Sequence, residues 1–151
     1  ERSVNVGSVR MTERHVRTDP PTLAELDAVA ADVDASLAVV EKIPTGTALV
    51  GVAGTVTTLA AVAHDVAPYD GARVHGSTMS IGEVRAVRDR LAALPLAQRR
   101  QLAALDPKRA DVIVAGAVVV ERVASWASAS ELVVSDRGVR WGLAHAALAR
   151  A

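Results

Sequence analysis

An α/β layer fold with a partly parallel sheet is predicted by two features of the sequence. Short valine-rich runs alternate along the chain with longer segments whose apolar residues recur every three or four positions. One of these runs, in ALVGVAGTVTTLAAVA from Ala48 to Ala63, breaks at Gly51 and Gly54 and restarts as a helix. Strand, glycine turn and helix in that order make the unit from which parallel sheets are built.

The elements follow in order. Residues 3–12, SVNVGSVRMT, alternate apolar and polar and read as a strand. Val4 and Val6 share one phase and Val9 and Met11 the other, so a bulge or bend is expected at Gly7 and Ser8. After the turn residues Asp19, Pro20 and Pro21, Thr22 and Glu25 form a capping box that starts a helix. Its buried stripe is expected to be Leu23, Leu26, Ala30, Val33, Leu37 and Val40, ending near Ile43 before Pro44 and Gly46. Thr47 to Ala53 reads as a buried strand and Thr55 to His64 as the helix after it.

A turn-rich loop, APYDGARVHGS, leads to a second capping box at Ser80 and Glu83. The stripe Ile81, Val84, Val87, Leu91 and Leu94 follows and closes at Pro95. Leu96 to Leu105 is expected as a short helix. Asp106 as cap and Pro107 in the first turn announce a long helix with Val112, Ala115, Val119, Val123 and Trp126 on one face. Leu132 to Ser135 reads as a strand, and Val139 to Arg150 as a final helix.

Half of the 151 residues are hydrophobic, enough for one domain with its own core, although that core must be built almost without aromatic residues. Seventeen basic side chains balance seventeen acidic ones, which argues against nucleic acid held by a global positive field. No cysteine is present, so thiolate chemistry and Cys-type zinc sites are excluded and a reducing compartment fits. With no apolar run of membrane-spanning length and no signal peptide at the start, no membrane partner is expected, and the chain reads as cytoplasmic. Glu1 in place of Met suggests a piece of a longer protein.

Candidate ligand contacts cluster at the strand ends. Gly54 and Thr55 stand at a helix start, where backbone N–H groups lack internal partners and suit a phosphate, although a tight turn with an N-cap would look the same. Asp136, Arg137 and Gly138 occupy a second strand-to-helix turn, the side on which α/β sheets bind ligands; a capping Asp with a turn glycine is the alternative. Arg10, Arg14, His15 and Arg17 form one basic group, and Arg99, Arg100, Lys108 and Arg109 another; either could steer a polyanion or serve as solvated surface. The four histidines, His15, His64, His75 and His145, lack metal-ligand spacing. Glu41, Glu121 and Glu131 read as helix-end or exposed residues and none as a general base.

Four blocks, VNVGSVRMTER, GVAGTVTTLA, RADVIVAGAVVV and SDRGVRWG, occur in an order that resembles the C-terminal part of the family uniting exopolyphosphatases with guanosine pentaphosphate phosphohydrolases. The resemblance covers nearly the whole chain. It implies the actin, Hsp70 and sugar kinase type of fold, in which two ribonuclease H-like domains face each other across a phosphate cleft. Residues 1–151 would be a partial second domain, lacking its opening strands, so that the strand at Thr47 to Ala53 is left with an open edge.

The resemblance further implies a divalent metal, usually magnesium, and a carboxylate base that activates water against the terminal phosphate of polyphosphate or guanosine pentaphosphate. The family's Asp-Ile-Gly-Gly-Gly-Ser type loop does not precede Val4, and its general-base glutamate belongs to the first domain. Trp141 replaces the acid of the family's Leu-Arg-Glu-Gly block. The expectations are therefore no catalytic residue and no metal ligand within the chain, with Mg2+ bound mainly upstream. Phosphate contacts are expected from Gly54, Thr55, Arg137, Gly138, Arg10 and Arg14. The chain alone is expected to be inactive. Its partners would be the substrate and the missing N-terminal domain, with a homodimer left open. Two alternatives stand beside this reading: a non-catalytic sensor of polyphosphate or guanosine tetraphosphate, and a sugar or acetate kinase-like nucleotide-binding domain.

Overall fold

The computed structural model describes residues 2–149, and the expected end of the last helix at Arg150 lies outside them. Three short strands, β1 (Val50–Val52), β2 (Thr78–Ser80) and β3 (Glu131–Ser135), form one sheet in the order β1-β3-β2. β1 runs parallel to β3, with Val50 opposite Val133 and Val52 opposite Ser135, and β2 runs antiparallel to β3. The helices are α1 (Ser8–His15), α2 (Leu23–Leu37), α3 (Gly54–Ala63), α4 (Gly71–Val74), α5 (Ile81–Ala92), α6 (Leu96–Arg99), α7 (Ile113–Trp126) and α8 (Val139–Leu148).

α7 is the spine. It buries Ile113, Val114 and Ala117 in a core shared with α3, α5 and the sheet, and Ala115 and Val118 in a second core with α1 and α2. A helix with apolar residues on almost every face is one packed on all sides. Leu59, Val84, Leu91, Leu132 and Val134 fill the first core, and Met11, Val29 and Val33 the second. Among the described residues no helix is long and apolar enough to cross a membrane.

Both capping boxes are present. The Thr22 hydroxyl accepts from the Glu25 N–H while the Glu25 carboxylate accepts from the Thr22 N–H, and Ser80 and Glu83 do the same. The helix expected to start at Asp106 is interrupted. Asp106 caps a single 3-10 turn over Pro107–Arg109, and α7 begins only at Ile113.

Several expectations are corrected. The segment from Ser8 is helix α1, not strand, because Met11 alone enters the core and Ser8, Met11, Thr12 and His15 share a helical face, while Val9 is exposed. Gly7 is the residue before that helix and not a bulge. α2 ends at Leu37, six residues early, where α7 also ends; past that point Lys42 donates to the Trp126 carbonyl at 2.8 Å and no helix surface remains to pack on. Leu23 is exposed and Val29 takes its place in the stripe.

β1 is three residues long, lies at the sheet edge and is not buried: Val50 and Val52 are 54% and 47% exposed, because they point to the face away from the core, while Gly51 between them faces Val56 and Leu132. β2 lies in what reads as loop and owes its state to its ladder with β3. Leu96 to Leu105 yields only the four-residue α6, since the chain there wraps the buried guanidinium of Arg99. Arg99 donates to Asp19 Oδ1 at 2.9 Å, and Asp19 also accepts from the Leu96 N–H. Glu121 is buried, not exposed, between Arg85 at 2.8 Å and Arg88.

Candidate functional site

β1 and the parallel β3 both end at one rim, and beyond it lies a cleft of about 740 Å³. The crevice beyond the carboxyl ends of parallel strands is where α/β sheets bind ligands. Its walls come from the start of α3 (Ala53, Gly54, Thr57, Thr58), the segment from Ala103 to Arg109, Tyr69, Asp136, and the start of α8 (Gly138, Arg140).

The turn into α3 is under backbone strain. Ala53 has φ 72° and ψ 174°, a region that glycine alone adopts easily. That conformation turns the chain sharply from β1 into α3. It leaves the first N–H groups of α3 without any side-chain acceptor.

Above this turn lies Arg109. A β-carbon on Gly54 would fall within the guanidinium, so glycine is what lets the cation lie against the helix start. The break between the 3-10 turn and α7 delivers Arg109 there. A fixed positive charge beside the positive end of a helix is unfavourable alone and favourable around an anion.

Other helix starts gather at this end. A β-carbon at Gly116, in the first turn of α7, would stand 2.7 Å from Thr55 Cγ2 and 3.1 Å from Ser8 Cβ, so α1, α3 and α7 meet there. None of these three helices, nor α8, has a side-chain cap, whereas α2, α4 and α5 are capped by Thr22, Asp70 and Ser80. Of these, the starts of α3 and α8 line the cleft and turn uncapped N–H groups toward it, whereas the start of α1 borders a separate hollow.

The far wall is acidic. Asp136 Oδ1 accepts from the Tyr69 hydroxyl at 2.7 Å, and Oδ2 fills the space a β-carbon on Gly71 would need. Burial pushes the Tyr69 phenol above its usual range, and the hydrogen bond to Asp136 adds to the rise. Asp106 accepts from the Lys108 N–H at 3.0 Å. The cleft therefore offers Arg109 and Arg140 as cations and Asp106 and Asp136 as carboxylates.

The sequence-derived candidates separate as follows. Gly54 and Gly138 line the cleft. Thr55 does not, because its side chain packs on Gly116; the threonines that line it are Thr57 and Thr58. Arg137 is exposed outside the lining, its guanidinium 5.0 Å from the centre of the Trp141 ring. Arg14 pairs with Asp32 at 2.7 Å, as does His15, and Arg17 donates to the Glu13 carbonyl at 2.6 Å. These three fasten α1 and its C-terminal end. Arg10 is exposed beside a shallow hollow at Gly7 and Ser8.

In the second basic group Arg99 is structural and Arg109 belongs to the cleft, while Arg100 and Lys108 are exposed. Tyr69, Asp106 and Arg140 were not signalled by the sequence as lining residues. Their only mark is proximity to a Pro, a Gly or a helix start. Among the described residues no group of three or more His, Asp or Glu side chains could hold a metal ion.

The model of the Ppx/GppA phosphatase family matches residues 1–151. Exopolyphosphatase 2 of Mycobacterium tuberculosis is 38% identical over 149 residues, which cover 94% of this chain and 47% of that protein. The crystal structure of the Aquifex aeolicus member of the Ppx/GppA family superposes with a TM-score of 0.89 at 30% identity, over 99% of this chain and 48% of the other. An exopolyphosphatase from Cytophaga hutchinsonii superposes with a TM-score of 0.80 at 24% identity, which speaks for the fold alone. The chain spans about half the length of the exopolyphosphatase and the solved structures it matches. The small mixed sheet flanked by helices is thus the ribonuclease H-like arrangement of these proteins.

Proposed function

The chain belongs to the Ppx/GppA phosphatase family, and on that premise we propose that it forms one wall of a cleft in which terminal phosphate is removed from inorganic polyphosphate or guanosine pentaphosphate. The observation that carries the reading is Arg109 lying against Gly54 at the uncapped start of α3. A phosphate seated there accepts from the first N–H groups of the helix and from the guanidinium, and it neutralises two positive features that otherwise oppose each other.

Hydrolysis of a phosphoanhydride needs the phosphate held in line, its charge neutralised and a water activated. The chain's own residues perform the first and part of the second. The α3 N–H groups and Arg109 hold the phosphoryl oxygens, Arg140 adds a cation from α8, and the buried Thr57 and Thr58 give the wall a fixed shape. The water oxygen bonds to phosphorus, the anhydride P–O bond breaks, and the water proton passes to a carboxylate that the family resemblance puts upstream of these residues.

Magnesium, when bound, supplies further charge neutralisation. Among the described residues no group of three or more acidic or histidine side chains forms a cage for it. We assign its protein ligands outside this chain and expect the 151 residues alone to bind without hydrolysing.

The test is phosphate release from long-chain polyphosphate and from guanosine pentaphosphate, with magnesium, by the complete protein and by its Arg109→Gln variant. Loss of the guanidinium should weaken substrate binding about 10- to 100-fold, the size of a charge-assisted contact, and the deficit should shrink as salt rises. Unchanged binding in the variant overturns the reading. Binding of either substrate without release would favour the sensor.

A further inference from the structure

The cleft holds more than a phosphate seat. Besides Arg109 and the start of α3, its lining includes the apolar residues Ala103, Ala104, Leu105 and Pro107, and Tyr69, the only aromatic residue to line it among the described residues. The Tyr69 side chain is tied but not covered. Its hydroxyl donates to Asp136 Oδ1 at 2.7 Å across 67 positions of sequence, while the residue is 45% exposed. The tie is itself fixed, because Asp136 Oδ2 fills the space a β-carbon on Gly71 would need. Arg109 is near enough for its charge to act on the phenol, so the ring stands close to the phosphate seat.

A pocket of about 740 Å³ with apolar walls, one aromatic ring and a few placed polar groups has the make-up of a site for an organic ligand. Inorganic polyphosphate is a ribbon of anions with no apolar face to set against such walls. Away from Arg109 and Arg140 it meets the carboxylates of Asp106 and Asp136, which repel it. A nucleoside is uncharged, brings a base that can stack on the ring, and carries N–H and O–H donors that carboxylates accept.

We propose that Tyr69, held by Asp136, is a specificity-determining residue of the cleft. Its ring stacks on the base of a nucleoside whose phosphates occupy the seat at Gly54 and Arg109, and so favours a guanosine polyphosphate over an inorganic chain. Because the ring is tied before the ligand arrives, little ordering opposes the contact. The inference rests on the phosphate reading, since that seat fixes where the phosphate end of the ligand lies.

Guanosine triphosphate and tripolyphosphate carry the same run of phosphates and differ in the nucleoside, so the ratio of their affinities for the complete protein reads the base contact. Calorimetric titration should find guanosine triphosphate bound about tenfold more tightly, the size of one base stacked on an aromatic ring. Tyr69→Leu should bring the ratio to about one by weakening guanosine triphosphate alone, and Tyr69→Phe, which keeps the ring, should retain most of it.

Equal affinities in the parent overturn the proposal, as does a ratio that survives Tyr69→Leu. Loss of both ligands together in Tyr69→Leu overturns it too, because the ring then serves the shape of the cleft. Arg109→Gln keeps the two readings apart, since it should weaken both ligands alike and leave their ratio unchanged. Tripolyphosphate binding indifferent to Arg109→Gln sinks the phosphate seat even where the ratio answers to Tyr69. A ratio of one with both ligands answering to Arg109 sinks only the stacking.

Discussion

The Arg109 guanidinium lies against the α-carbon of Gly54, in the space where any other residue would carry its β-carbon. The two are joined by no hydrogen bond and brought together by the break before α7, so the contact is one of shape. Gly54→Ala should therefore displace a flexible side-chain end and leave the backbone alone. Alanine is at least as good a helix residue as glycine, so thermal stability should hold or rise while tripolyphosphate binding falls about tenfold, the worth of one charge-assisted contact. Calorimetric titration beside a melting curve checks both; a parallel loss of stability and binding would mean that Gly54 serves the fold.

The neighbouring residue predicts the opposite exchange. Ala53 holds φ 72° and ψ 174°, a conformation that costs a non-glycine residue about 1–3 kcal/mol. Ala53→Gly removes the strain and loses part of the gain to the freer unfolded chain, leaving a net stabilisation of about 1 kcal/mol. The midpoint of urea unfolding should rise with an unchanged slope. A fall in the midpoint would show that the turn does not depend on strain at this residue.

Glu25 predicts the acid limb of stability. Its carboxylate accepts from the Thr18 hydroxyl foremost, then from the N–H groups of Thr22 and Arg17, and these bonds hold its pKa at about 2 against an ordinary 4.5. A pKa lowered on folding contributes stability that is fully present above 4.5 and is lost as pH falls toward 2. Glu25→Gln should thus be less stable than the parent at pH 6 and nearly equal to it at pH 2. Unfolding midpoints across that window read the difference, and curves that stay parallel would exclude the carboxylate as the cause.

The elements legible in the sequence are those written in adjacent residues. Thr22 with Glu25, Ser80 with Glu83, and the glycine turn at Gly54 each act within one helical turn, and each appears where it was read. What could not be read depends on partners far away. Arg99 and Arg109 look alike in sequence, but one is buried against Asp19, eighty positions back, and the other lies on Gly54. α1 resembles a strand because valine and methionine alternate over a few residues, and only the packing of Met11 on α2 and α7 selects the helical period. Asp106 does cap a helical start, yet only the single 3-10 turn Pro107–Arg109 follows before α7 begins at Ile113, and Arg109 at its end reaches the cleft.

Tyr69 is the only tyrosine of the chain, so its ionisation can be followed by ultraviolet absorbance in the 151 residues with no other phenol contributing. Partial burial raises its pKa first, and the bond from its hydroxyl to Asp136 Oδ1 at 2.7 Å raises it further, since the phenolate would be poorly solvated and would face a carboxylate. Because the folded pKa lies above the unfolded 10, the pair stabilises fully below pH 10 and that contribution is lost as pH climbs through the folded value. Asp136→Asn should lower the titration midpoint part of the way toward 10, leaving the share due to burial. It should also lessen repulsion of polyanions at the acidic wall, so tripolyphosphate should bind more tightly at low salt and the gain should fade as salt screens it. A midpoint that does not move in Asp136→Asn would separate Tyr69 from Asp136 and leave burial as the whole cause.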